Sequence, residues 1–168
     1  MKAHLARSTV VAAAVLLCAP AAWALERAPV LNLDVAKKMA DACVAKSRDM
    51  KWKMNISIVD SGANQIVFER MDGAYLGSGD VALHKAQTSA KFPFPTRFVE
   101  QLSYGKDLKG GALPGLPHVS GIIAFAGGLP IMTADGAQVG AVGVSGGTAD
   151  EDEQCAQAAI DAVKDMLK

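Results

Sequence analysis

None of the strong catalytic or metal-binding signatures occurs in these 168 residues. The chain has no phosphate-cradling GxxxxGK[ST] loop, no HExxH, no GxSxG elbow and no paired CxxC. It has no CxxCH, which excludes covalent haem attachment of the c type. Aromatics make up 5% of the residues, with two Trp, and Lys plus Arg balance Asp plus Glu at 17 each. With no basic run and few stacking side chains, nucleic-acid recognition has no footprint here. Three Cys and three His leave few candidates for ligation chemistry.

The N-terminus has the layout of a secretory leader. Lys2, His4 and Arg7 form a basic start, Thr9 to Leu17 is an unbroken apolar run, and Ala22-Trp23-Ala24 places small residues at the two positions a signal peptidase reads. The run is shorter than the about 20 residues a membrane-spanning helix needs. The expected cleavage is after Ala24, leaving residues 25–168 as one periplasmic or secreted domain with a slight acidic excess, since Lys2 and Arg7 go with the leader. Cys18 goes too. Cys43 and Cys155 remain in an oxidising compartment, on the apolar faces of two predicted helices, where a bridge and two buried thiols are both open readings.

Along the remaining chain the periodicity predicts a helix over 34–50, with Val35, Met39, Cys43 and Met50 on one stripe. Residues 54–60 alternate Met54, Ile56 and Ile58 with Asn55 and Ser57, a half-buried strand. The turn residues Ser61-Gly62-Ala63-Asn64 join it to a second strand, 65–70. A helix is predicted over 80–91. Residues 92–121, rich in Pro and Gly, read as a long connection with a turn or two of helix around 97–104. Strands are predicted at 122–125, 129–133 and 138–144, the last two joined by Asp135-Gly136. Thr148 and Glu151 form a capping box that opens a helix running to about Leu167. The fold class is α+β, with five mainly antiparallel strands flanked by helices.

This placement singles out the candidate ligand-binding residues. His84 lies on the second helix one turn from both Asp80 and Thr88, so either neighbour can orient its imidazole while the other nitrogen binds a metal. His118 sits among apolar residues of the long connection. Arg70 ends the first hairpin and Lys85 adjoins His84; either can pair with an acidic ligand group, or with Asp72 or Asp60. Ser145-Gly146-Gly147-Thr148 leads from strand into helix with backbone N–H groups that favour an anion. The acidic residues at 150–153 favour plain capping instead.

Four segments carry a family resemblance: Ile58-Val-Asp-Ser-Gly62, Phe68-Glu-Arg-Met-Asp-Gly73, Lys85-Ala-Gln-Thr-Ser-Ala90, and Gly140-Ala-Val-Gly-Val-Ser-Gly-Gly147 followed by Asp152, with Gly127-Gly128-Leu-Pro130 before the last hairpin. Together they resemble the GlcG/HbpS-like haem-binding family, also seen as the C-terminal domain of PduO-type cobalamin adenosyltransferases. The resemblance implies a profilin-like α-β-α domain, homo-oligomers from dimers to octamers, and in several members non-covalent haem; some bind iron or corrinoids. His84, His118, Arg70, Lys85, Thr88 and Met71 are the cofactor-binding candidates, with His84 as the iron ligand and Met71, Met50 and Tyr104 as fallbacks, since haem iron accepts His, Met, Tyr or Cys.

Two functions are expected. The first is an exported haem-binding protein serving storage, sensing or scavenging, with no membrane span and no nucleic-acid partner. The second is a binding protein or catabolic enzyme for a small organic acid or corrinoid. No nucleophile–base or acid–base pair is visible in the sequence, which favours the binder.

Overall fold

A computed structural model describes residues 28–168. The predicted leader, 1–24, lies outside the described residues. Helix α1 spans Leu33–Met50, capped by Asn32, whose side chain accepts the Val35 N–H at 2.9 Å. Strands β1 (Asn55–Asp60) and β2 (Gln65–Arg70) form the predicted hairpin. The Asp60 carboxylate closes its turn by accepting the N–H groups of Gly62 and Asn64 at 2.8 and 2.9 Å. Next come helices α2 (Ser78–Lys91) and α3 (Thr96–Tyr104), then β3 (Gly128–Met132), β4 (Gln138–Ser145) and α4 (Ala149–Asp161). The capping box is formed, with Thr148 and Glu151 each bonding the other's backbone N–H. Among the described residues, no helix is long and apolar enough to cross a membrane.

The sheet is antiparallel throughout, in the order β2-β1-β4-β3. Ile56, Ile58, Val142 and Val144 pack against α1 and α4 on one face, in a core that includes Met39, Cys43 and Cys155. The other face carries α2, with Val59 and Ala141 against Ala86 and Ala90. Because both faces are covered, the polar alternates Asn55 and Ser57 are fully buried; β1 is not the half-buried strand its alternation suggested. Gly143 sets the spacing of α2. A Cβ there would lie 2.1 Å from the Ala82 carbonyl oxygen and 2.4 Å from the Ala86 nitrogen, so the helix backbone rests directly on β4.

Among the described residues four strands are present, where five were expected. Residues 122–125 run without strand pairing: Ile122 and Ala124 pack with Val99 of α3, and the Ile123 N–H bonds to the Thr88 hydroxyl of α2 at 3.0 Å. Gly127, with φ of 116°, then turns the chain into β3. A helix side chain takes the Ile123 N–H, so this apolar run serves the packing of α3 and not a ladder. Helix α4 also stops at Asp161, with one 3-10 turn at Lys164–Met166 completing the predicted run. Cys43 of α1 and Cys155 of α4 are joined in a disulfide, with Cα atoms 4.9 Å apart.

Candidate functional site

The first turn of α2, the ends of β1 and β2, and the loop between β2 and α2 enclose a groove of about 280 Å³. Phe68, Leu76 and Leu83 form its apolar walls, and Arg70 and Asp80 bring one charge of each sign. Arg70 faces the groove because it pairs with Asn55 across the hairpin, on the same side of the sheet as α2. One guanidinium N–H group reaches the Ala74 carbonyl at 3.4 Å, and the side chain is otherwise exposed. Tyr75 and Leu76 stand 74% and 81% exposed beside it, an apolar rim to the groove.

Beneath the groove lies Asn55. Its side-chain amide donates to the Ser78 hydroxyl at 2.6 Å and to the Tyr75 carbonyl at 3.1 Å. Its carbonyl oxygen Oδ1 is the one buried side-chain polar atom without a partner among the described residues.

His84 sits one turn beyond Asp80 on α2, half-buried, with its ring beside Gly121. It is outside the groove lining but on the helix face that Asp80 begins. His118 is exposed in the 3-10 turn Leu116–His118, three residues before Gly121. In the same connection as His118, Leu113, Leu116 and Val119 line an apolar hollow of about 350 Å³.

The remaining candidates are engaged elsewhere. Thr88 does not orient His84: its hydroxyl donates to the Gly121 carbonyl at 3.3 Å and accepts the Ile123 N–H, which pins the 121–123 segment to α2. Lys85 is buried, its ammonium 2.7 Å from Asp152 Oδ2 and 2.9 Å from the Val144 carbonyl, with the Phe125 ring 4.5 Å away. Fully buried, it presents no N–H to a ligand from solvent, and its acidic partner is Asp152 in place of Asp72 or Asp60. Burial pushes the Lys85 ammonium below its ordinary range and the Asp152 carboxyl above its own, each opposed by the other's charge. Met71 packs against the core on the α1–α4 side, across the sheet from His84. Of the fallbacks, Met50 and Tyr104 are exposed at the ends of α1 and α3.

The start of α4 is self-sufficient. The Gly147 N–H bonds Asp152 Oδ1 at 3.0 Å and the Thr148 N–H bonds Glu151 at 2.8 Å, while Arg97 of α3 pairs with Asp150 and Glu153. The backbone donors that suggested an anion site are thus taken by the helix's own carboxylates. Among the described residues, no group of three or more His, Cys, Asp or Glu gathers to hold a metal ion.

Sequence reasoning missed Asn55 as a site residue and Asp152 as the partner of Lys85. Asn55 carried a signal, a polar residue in a strand whose other face is core, but its burial depends on α2, far along the chain.

Residues 31–161 match the model of a family described as haem degrading protein HbpS-like. A 15.0 kDa uncharacterised protein of Citrobacter freundii from the dhaT-dhaS intergenic region is 36% identical over 81% of this chain and 94% of its own. The crystal structure of a double mutant of HbpS from Streptomyces reticuli superposes with a TM-score of 0.74 at 32% identity, covering 91% of this chain and 98% of that one. The crystal structure of a PduOC:heme complex superposes with a TM-score of 0.70 at 27% identity, over 80% of this chain and 95% of that one. A family match across nearly all the described residues, with the same fold in its solved members, means that the chain belongs to the HbpS-like family.

Proposed function

We propose that this protein is an exported, non-covalent haem-binding protein, a homo-oligomer that holds haem for storage, sensing or scavenging in the periplasm or outside the cell. The observation that carries the reading is the position of His84. It is half-buried on α2, one turn beyond the Asp80 that lines the Arg70 groove, with its ring beside Gly121 of the connection. A relative with this fold was solved as a haem complex.

The donor set fits haem. An imidazole is a common axial ligand of haem iron, and haem supplies the redox and oxygen chemistry when bound. Arg70, free of ion pairing among the described residues, suits a carboxylate, and Tyr75, Leu76 and Phe68 offer apolar surface for a flat ring. His118, exposed in the connection before Gly121, is the second imidazole available. The disulfide between α1 and α4 agrees with export to an oxidising compartment.

Hemin titration tests this directly. The wild-type protein should develop a shifted, saturable Soret band, and His84→Ala should weaken or alter it. A wild-type protein without that band would overturn the reading; an unaltered His84→Ala spectrum would pass the ligand role to His118.

A further inference from the structure

A second ligand chemistry is written into the groove itself. Asn55 is fully buried, and the direction of its amide is fixed: the Tyr75 carbonyl can only accept, so the NH2 group must face it and Oδ1 must face away. Oδ1 then points toward Gly79, where an added Cβ would lie 3.8 Å from it and 3.4 Å from the tip of the Phe68 ring. An acceptor closed off from bulk water and left without a donor is unusual in a native core. The missing side chain at Gly79 keeps open the approach to it.

The groove in front of this acceptor carries Arg70 on one wall and Asp80 on another, neither in an ion pair among the described residues. Asp80 also complements the N-terminus of α2, but that role needs no groove. A cation, an anion and an unpartnered acceptor lining one apolar-walled cavity of about 280 Å³ match a small molecule that carries both charges close together. We propose that this groove binds a free α-amino acid with an apolar side chain: the carboxylate on Arg70, the ammonium between Asp80 and Asn55 Oδ1, and the side chain against Phe68, Leu76 and Leu83. No chemical step is implied. The site shares Arg70, Phe68 and Leu76 with the proposed haem surface but uses neither His84 nor His118; loss of amino-acid binding in Asp80→Asn with an unchanged hemin titration separates the two readings.

The test is a thermal-shift screen of the full protein against the standard amino acids at millimolar concentration, followed by calorimetry on the best of them. At least one apolar amino acid should raise Tm and bind at least tenfold more tightly than the same molecule lacking its amino group. Gly79→Ala puts a methyl in front of Asn55 Oδ1 at ordinary contact distance, and alanine favours a helix, so this variant should fold as wild type and lose the binding at least tenfold. Asp80→Asn, an exposed change, should weaken the amino acid tenfold and spare its deaminated analogue. The proposal fails if no amino acid shifts Tm, if the deaminated acid binds equally well, or if Gly79→Ala or Asp80→Asn leaves the amino-acid affinity unchanged.

Discussion

Lys85 and Asp152, 67 residues apart in sequence, meet at 2.7 Å with their side chains 0% and 3% exposed, and the contact ties α2 to α4 across the edge of the sheet. The Val144 carbonyl and the Phe125 ring occupy the other sides of the ammonium, and the Gly147 N–H holds the second carboxylate oxygen. Gly127 makes room, since a Cβ there would sit 2.7 Å from Lys85 Nζ. Both charges have hydrogen-bond partners beyond each other, the condition under which a buried ion pair is tolerated.

Breaking the pair from one side should be far worse than removing it. Asp152→Ala or Lys85→Met strands a buried charge and is expected to cost about 3–5 kcal/mol, while Lys85→Met with Asp152→Leu should recover much of that loss. The sign of the pH dependence comes from Asp152, whose carboxyl burial pushes upward. A carboxyl with a raised folded pKa stabilises the fold below its unfolded pKa, and that stability is lost as pH rises through the folded value. The Lys85 charge is the largest influence opposing that upward shift. With it gone, denaturant melts should show Lys85→Met losing more stability near pH 7 than near about pH 4.

Gly143 should not tolerate a side chain. Its would-be Cβ meets backbone atoms of α2, which cannot swing aside as a flexible side chain does. Gly143→Ala is expected to cost at least the about 1–3 kcal/mol typical of overpacking, and to disturb the α2 face with its groove and His84. Urea denaturation and hemin titration of the same variant measure both effects; wild-type values in both would show that α2 lifts off β4 freely.

Removing the disulfide should weaken the fold without redrawing it. Cys43 and Cys155 are 112 residues apart, so the bridge restrains most of the described chain in the unfolded state. Cys43→Ala with Cys155→Ala is expected to lose about 2–5 kcal/mol, read as a lower Tm, with the far-ultraviolet spectrum retained. Free thiols in protein recovered from its natural compartment would count against both the bridge and export.

The helices, the hairpin and the capping box are local devices, and they are legible in the sequence. Asn32 caps α1 and Thr148 caps α4, turn residues separate β1 from β2, and the apolar stripe of α1 repeats every 3.6 residues. The false strand at 122–125 arose because a short apolar run is equally compatible with packing under a helix; the Thr88–Ile123 hydrogen bond, between residues 35 apart, distinguishes the two. The same limit governs the site. His84 and Arg70 are visible as chemistry, but whether a lysine is a ligand or half of a buried ion pair is decided by what α4 brings to it.

Most of the elements, the family and the residue types available for binding are legible in the chain itself, because they depend on neighbours along it; the strand expected at 122–125 is the exception. Long-range packing spends Lys85 on Asp152, sets Thr88 to hold a loop and leaves Asn55 with an unpartnered acceptor beneath Gly79. Each of these depends on α2 lying against the sheet at the distance Gly143 allows, and contacts between segments so far apart in the chain leave no trace in local periodicity.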